Sequence, residues 1–95
     1  MKIRWLDKAV VDLEDAFEFI LYDNPPAAAA EVDKILRAVE RLKDNPAKGR
    51  AGRVPKTREL AVSGTPYLII YRVKNDHVEI LRVFHGARNL TRRTR

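Results

Sequence analysis

The sequence predicts an α+β domain of two layers, with a strand first, then an antiparallel helical hairpin, then a three-stranded antiparallel meander. Three observations predict this order. Helical periodicity fills residues 8–43, and adjacent prolines divide it in two. Three apolar runs follow between residues 57 and 88, and turn-forming residues at 63–66 and 74–77 separate them. Strands grouped after helices favour a helical layer packed on one face of an antiparallel sheet.

The N-terminal segment predicts a short strand and the first helix. Residues 2–5 alternate polar and apolar side chains, as a short strand does, and Trp5 is expected to pack against the helices. Asp7 can accept unpaired amide hydrogens, so we expect it to be the N-cap of a helix over residues 8–22. Its apolar positions recur at spacings of three and four: Ala9, Leu13, Ala16, Phe17, Ile20 and Leu21.

The second helix is predicted over residues 26–43. Asn24, Pro25 and Pro26 form the turn between the helices, because proline suits the first turn of a helix and disfavours helix in the residue before it. The apolar stripe comprises Ala28, Val32, Ile35, Leu36, Val39 and Leu42. The joint apolar face of the two helices is expected to cover one side of the sheet.

The middle strand of the meander is predicted to be buried on both sides. Residues 67–73 are apolar at almost every position, whereas a strand exposed on one face would alternate. The third run, residues 78–84, is similar apart from Glu79 and Arg82. The helices can cover only one face, and we expect the rest of the chain to leave the other face without a cover.

Charge is distributed unevenly along the chain. The formal net charge is +6, with −3 on residues 1–44 and +9 on residues 45–95. The loop at residues 47–56 carries four cations and no acid. We expect one domain over residues 1–88 and a flexible basic tail over residues 89–95, which has too few apolar residues to pack firmly. The basic half is expected to face an anionic partner.

Several classes of function are disfavoured. The chain has no cysteine, and no apolar run approaches the roughly 20 residues that span a bilayer. The N-terminus lacks the apolar segment of a signal peptide, so we expect a cytoplasmic protein without a membrane partner. No cluster of carboxylates accompanies His77 or His85, so no metal and no cofactor is expected. Residues 49–52 lack the Lys-Ser/Thr ending of a phosphate-binding loop.

Metal-independent RNA cleavage is the enzymatic alternative. It needs a general acid, a general base and cations near the phosphate, which Arg82, His85 and Arg88 could supply, with Arg58 and Lys56 nearby. We favour a structural role for His85, whose ring would bond to the backbone at a corner, because nothing in the sequence marks a perturbed pKa there.

Nucleic-acid binding without catalysis is supported by charge alone. Arginines of the loop and the tail could neutralise phosphates. Tyr67, Tyr71 and Phe84 could stack on bases, but aromatic residues at strand positions with this spacing are more often in the core. Direct nucleic-acid binding is therefore not the favoured interpretation.

The pattern of the whole chain resembles a known family. The strongest motifs are residues 57–60 (TREL), 66–73 (PYLIIYRV) and 78–88 (VEILRVFHGAR). They follow a strand, a helical hairpin and a basic loop that begins after Asn45 and Pro46. In this order and at this length, the sequence resembles the ParE/RelE superfamily of toxins from bacterial type II toxin–antitoxin systems. The resemblance implies a β-α-α-β-β-β fold.

The resemblance also separates two activities. The RelE-like branch cuts messenger RNA on the ribosome, and the ParE-like branch poisons DNA gyrase. RelE-like ribonucleases carry lysines where this chain has Glu59 and Ala61, an arginine at Leu68 and a tyrosine at Thr94; only the corner arginine, Arg88, matches. The chain is therefore closest to the ParE-like branch, which implies a gyrase-binding toxin without catalytic residues.

The same resemblance implies an antitoxin partner. In this superfamily an antitoxin, commonly acidic, wraps its C-terminal segment over the toxin, which would cover the second face of the sheet. The candidate contacts for antitoxin or target are Arg50, Arg53, Arg58, Arg72, Arg82, Arg88, Arg92 and Arg93. Two alternatives stay open: a ribosome-dependent ribonuclease using Arg82, His85 and Arg88, and a non-toxic binding partner of the antitoxin.

Overall fold

The fold is a five-stranded sheet with a helical hairpin on one face. A computed structural model describes residues 1–86. The elements are β1 (Lys2–Trp5), α1 (Asp7–Asp23), α2 (Pro25–Arg41), β2 (Arg50–Ala51), β3 (Arg58–Ala61), β4 (Tyr67–Lys74) and β5 (His77–His85). The strand order is β1-β5-β4-β3-β2, with β1 parallel to β5 and the other pairs antiparallel. The predicted α+β class and the meander β3-β4-β5 are confirmed, whereas β2 was not predicted.

The helix boundaries differ slightly from those predicted. Asp7 is not the N-cap: Leu6 occupies that position without a side-chain cap, and its carbonyl accepts the amides of Ala9 and Val10. Asp7 is the first helical residue, where a negative charge still favours the positive end of the helix dipole. At the other end, the Asn24 amide donates to Ile20 at 2.7 Å, and α2 begins directly at Pro25.

The core lies between the helices and one face of the sheet. Its largest fully buried side chains include Ile35 and Leu42 of the helical layer with Tyr71, Ile69 and Ile80 of the strands. Trp5 packs against this core while partly buried, as expected. The helices contribute four buried alanines to this core, namely Ala9, Ala16, Ala28 and Ala38.

The predicted apolar stripes were too wide. Phe17, Leu21 and Leu36 are 37%, 45% and 40% exposed, on the outer side of the hairpin. The physical reason is helical rotation, since adjacent residues differ by about 100° and only a narrow arc of a helix reaches the sheet. Ile35 is fully buried beside the exposed Leu36.

A tight turn and a bulge set the register of the central hairpin. Asn75 and Asp76 have φ of 49° and 62°, as both central residues of a type I′ turn do. Farther along, Ile70 pairs with Arg82 and Tyr71 with Ile80, so Leu81 is an extra residue on β5. This bulge lies at the centre of the face opposite the helices.

That second face, the open face, is partly covered by the chain itself. Ile70 lies on it and is only 6% exposed. Val54 of the basic loop and the adjacent Thr57 line a hollow together with Ile70 and Leu81. The chain therefore covers part of this face itself, which was not predicted from the sequence.

Candidate partner-binding surface

Cross-strand pairing sets the positions of the charged side chains on the open face. Arg4 of β1, Glu79 of β5 and Arg72 of β4 are neighbours in register across three strands. Arg72 Nε donates to Glu79 Oε1 at 2.6 Å, and Arg4 Nη1 lies 3.8 Å from Oε2. The hydrogen bond from Arg72 holds the pKa of Glu79 below its ordinary value. Two arginines thus share one carboxylate.

Arg82 is held by the first helix. Its Nε and Nη2 donate to the two carboxylate oxygens of Asp12 at 2.7 and 2.9 Å, and the Val83 amide donates to the same side chain at 2.9 Å. β1 pairs with β5 only as far as Ile80, so Asp12 satisfies a backbone donor where the partner strand has ended. The bond to Asp12 raises the pKa of Arg82. The guanidinium also lies 4.5 Å from the centre of the Phe84 ring.

The basic loop is pinned to the sheet by a buried tyrosine. The Tyr71 hydroxyl donates to the Pro46 carbonyl at 2.7 Å and accepts the Gly49 amide at 2.8 Å. Burial raises the pKa of Tyr71, so the phenol stays protonated. A Cβ at Gly49 would lie 2.7 Å from that hydroxyl oxygen, which explains the glycine. Arg58 donates to the Gly49 carbonyl at 2.8 Å and supports the same turn.

Glu59 holds the next part of the loop. Glu59 is only 4% exposed. Its carboxylate accepts a hydrogen bond from the Arg53 amide at 3.1 Å and lies 3.5 Å from Arg50 Nη2. Since Arg50 pairs with Glu59 across β2 and β3, the short strand forms where this carboxylate anchors it. A position that carries a lysine in RelE-like ribonucleases therefore holds a buried anion here.

The structure describes His85 and Arg82 of the alternative catalytic set. The His85 ring packs edge-on against Tyr67 and Phe19, with centroids 5.5 and 6.5 Å apart. The predicted bond from this ring to the backbone stays a prediction. Arg82 points into its pair with Asp12. Arg88 lies outside the described residues, and among residues 1–86 no group of three metal-binding side chains occurs.

The predicted contact arginines fall into two groups. Arg50, Arg53, Arg58, Arg72 and Arg82 lie on or beside the sheet, and each has an intramolecular contact through its side chain or amide. Arg88, Arg92 and Arg93, together with the predicted tail over residues 89–95, lie outside the described part of the chain. Their roles stay predictions.

Sequence reasoning missed the acidic partners and the anchoring tyrosine. Asp12 lies outside the apolar stripe of its helix, a pattern that predicts a solvent-facing side chain, yet its side chain is 13% exposed and reaches a strand 70 residues away. The only available signal was weak: its helical position borders the apolar stripe. Glu59 gave a better signal, because an acid directly after a cation-rich loop is well placed to pair with it.

Comparison with known proteins decides the family. Residues 3–90 match the family model of the ParE toxin of type II toxin–antitoxin systems, parDE. The chain belongs to the ParE toxin family. This ParE-family toxin is 45% identical to the protein Y4kP of Sinorhizobium fredii over 85 residues, which cover 90% of the chain and 88% of the relative. It is also 32% identical to the toxin RelE2 of Caulobacter vibrioides, covering 92% and 97%.

Solved structures give the same result for the fold. The toxin superimposes on a chain of the chromosomal ParDE system from P. aeruginosa with a TM-score of 0.83 and 30% identity, covering 90% of this chain and 95% of that one. It matches a chain of the toxin–antitoxin complex RelBE2 from Mycobacterium tuberculosis with a TM-score of 0.61 and 28% identity, covering 88% of each. Within residues 1–86 of the toxin, neither helix is long and apolar enough to cross a bilayer.

Proposed function

We propose that this toxin acts in the cytoplasm by binding and inhibiting DNA gyrase, and that a cognate antitoxin neutralises it. The observation that carries this proposal is that Glu59 and Ala61 stand where RelE-like ribonucleases carry lysines, while Arg82 is engaged by an acid of the fold. Arg82, the described cation of the alternative catalytic set, makes a two-point bond to Asp12. A guanidinium held this way is positioned by the fold and is not directed at a phosphate.

Glu59 supports the same conclusion electrostatically. A carboxylate that is 4% exposed and bound by Arg50 and the Arg53 amide uses nearby positive charge for the fold. It also adds negative charge where a ribonuclease of this superfamily would place lysine. A phosphate near this position would meet a paired carboxylate in place of the cation that transition-state stabilisation requires.

An antitoxin partner is favoured by the solved relatives. The two similar structures come from a ParDE toxin–antitoxin system and a RelBE2 toxin–antitoxin complex. In this toxin the basic half of the chain, with its net +9 charge, would complement an acidic segment.

A supercoiling assay tests the proposal. Purified toxin should block the supercoiling of relaxed plasmid by DNA gyrase at micromolar concentration. His85→Phe keeps an aromatic ring against Tyr67 and removes the titratable nitrogens, so the gyrase proposal expects the same inhibition from this variant. Complete supercoiling of the plasmid in the presence of wild-type toxin, with no relaxed plasmid remaining and no stabilised cleavage complex, would overturn the gyrase assignment.

The ribonuclease alternative predicts a different result with the same proteins. The similar protein RelE2 carries the name of the RelE-like branch, which is the reason for testing this alternative. Wild-type toxin would then cut messenger RNA on ribosomes, and His85→Phe would abolish cutting while the fold stays intact. Uncut transcripts at toxin concentrations that inhibit gyrase would reject it.

A further inference from the structure

A cleft of about 420 Å³ lies between α2 and the turn that joins β3 to β4. Its cationic lining comes from one face of α2, where Lys34, Arg37 and Arg41 follow one another at helical spacings of three and four. Val62 and Ser63 line the opposite wall, and Val62 belongs to the core between the helices and the sheet. The cleft is therefore on the helical side of the molecule and is separate from the open face.

The turn wall of the cleft is held by its own hydrogen bonds. The Thr65 amide and hydroxyl both donate to the Val62 carbonyl, at 3.1 and 3.0 Å, and the same hydroxyl accepts the Tyr67 amide at 3.1 Å. Lys34 lies across this turn, with its Nζ 3.5 Å from the Gly64 carbonyl oxygen. Gly64 has a φ of 78°, and a Cβ there would lie 3.2 Å from the same Nζ. The fold thus places this lysine at the rim of the cleft.

Positive charge exceeds negative charge in the cleft. Asp33 is the one carboxylate among its described lining residues, and its Oδ2 lies 2.8 Å from Arg37 Nε. The Arg37 side chain is still 70% exposed. Within residues 1–86, Lys34 and Arg41 form no ion pair. The charges of these two side chains are therefore available to an anionic ligand.

We propose that this row of cations contacts the phosphate backbone of duplex DNA held by gyrase, so that the toxin binds the enzyme and its DNA together. The inference rests on the proposed function, which supplies gyrase as the target. Lys34 and Arg41 are seven residues apart, which is about 10 Å along a helix. Each strand of B-DNA has one phosphate per roughly 3.4 Å of its axis, so a row of this length can contact about two or three consecutive phosphates.

The lining of the cleft favours duplex DNA over two other polyanions. A single-stranded nucleic acid stacks its bases on aromatic rings, and none of the described lining residues is aromatic. An acidic protein segment would bury apolar side chains at the centre of its interface. The apolar lining here consists of Ala30, Ala38 and Val62, and the last two are already 9% and 3% exposed. A phosphate backbone needs only the exposed cations.

Binding of fluorescently labelled toxin to DNA gyrase, measured with and without linear duplex DNA over a range of salt concentrations, tests this inference. Wild-type toxin should bind the gyrase–DNA complex more tightly than gyrase alone, because only the complex offers phosphates to the cleft. Salt should also weaken binding to the complex more steeply, with an additional slope of about −2 to −3 in log K against log salt for two or three phosphate contacts. Equal affinity with and without DNA would overturn the inference.

Lys34→Gln removes one charge from the cleft, and Lys8→Gln is its matched control. Both lysines are exposed on helices and form no ion pair within residues 1–86, and Lys8 lies on α1, outside the cleft. Lys34→Gln should weaken binding to the gyrase–DNA complex about fivefold, reduce the salt slope by about one and leave binding to gyrase alone unchanged. Lys8→Gln should match wild type in all three measurements. Equal losses in the two variants would contradict a defined site.

Asp33→Asn should give a change of opposite sign. The Asp33 side chain is 55% exposed, so the fold should tolerate an amide at this position. The variant removes the negative charge beside Arg37 and raises the net charge of the cleft by one. Binding to the gyrase–DNA complex should become about two- to fivefold tighter. Weaker or unchanged binding would contradict phosphate contact at this cleft.

The same measurements keep this inference distinct from the proposed function. Binding to gyrase that neither DNA nor the Lys34→Gln and Asp33→Asn changes affect would reject the cleft as a DNA contact and leave the gyrase target intact. A loss for Lys34→Gln that is equal on gyrase alone and on the complex would indicate an acidic protein surface and overturn the choice of DNA. Toxin that bound neither gyrase nor the complex would reject the target, and this inference with it.

Discussion

Single carboxylates decide where the positive charge of this toxin can act. Asp12 binds Arg82, and Glu79 binds Arg72, each through a hydrogen bond of 2.6–2.7 Å to Nε. Such charge-assisted bonds fix the direction of a guanidinium as well as its position. Lys56 forms no ion pair among residues 1–86, so the fold holds this lysine differently from Arg72 and Arg82.

Glu79→Gln should make the free energy of unfolding less dependent on pH in the acidic range. The bond from Arg72 lowers the pKa of Glu79 below its ordinary value of 4.5, so the folded state binds this proton less readily than the unfolded state. The stabilisation is complete above that ordinary value and is lost as pH falls through the lower, folded-state value. The variant should therefore be less stable than wild type at pH 7 and should approach it in acid.

Urea unfolding at a series of pH values would measure this difference. Glu18→Gln, a change on the exposed face of α1, is the matched control and should follow wild type throughout. A stability difference for Glu79→Gln that stayed constant from neutral pH to below the ordinary pKa would contradict the role assigned to the Arg72 pair.

At the scale of elements, the basic loop behaves as part of the sheet because Tyr71 pins it. Tyr71→Phe removes a hydroxyl that donates to the Pro46 carbonyl and accepts from the Gly49 amide. Loss of these two hydrogen bonds should lower the free energy of unfolding by about 2 kcal/mol. Gly49→Ala forces a Cβ against the same hydroxyl and should cost about 1–3 kcal/mol.

The two changes should not add. Removing the hydroxyl relieves the 2.7 Å contact but leaves Tyr71 Cε1 2.8 Å from the new Cβ, so the double variant should be modestly more stable than the sum of the single effects predicts. Tyr71→Phe combined with Leu36→Ala, on the exposed side of α2, should be additive. A fully additive result for Tyr71→Phe with Gly49→Ala in urea unfolding would contradict the contact.

Local pattern predicted most elements but not how they contact one another. Periodicity and prolines gave both helices within a few residues, and the turn residues gave the meander. Periodicity did not define the orientation of α2 about its axis accurately enough to predict that Leu36 is exposed and Ile35 buried. β2 depends on Glu59, and the anchoring of Arg82 depends on an acid 70 residues away, so neither is encoded in a local pattern.

At the scale of the whole molecule, charge and fold are arranged together. The acidic residues 1–44 form β1 and the helical layer, and the basic residues 45–95 include the rest of the sheet and its covering loop. Within residues 1–86, six of the eight arginine side chains contact acids or the backbone of the protein itself, and such an arrangement suits selective binding of a protein partner. This favours a gyrase-binding toxin over a nuclease.

One measurement tests this central claim most directly: plasmid topology and transcript integrity determined in the same bacterial culture after the toxin is induced without its antitoxin. A gyrase-binding toxin predicts that plasmids lose negative supercoiling while a reporter messenger RNA stays full length. Cleaved transcripts beside normally supercoiled plasmids would contradict the account.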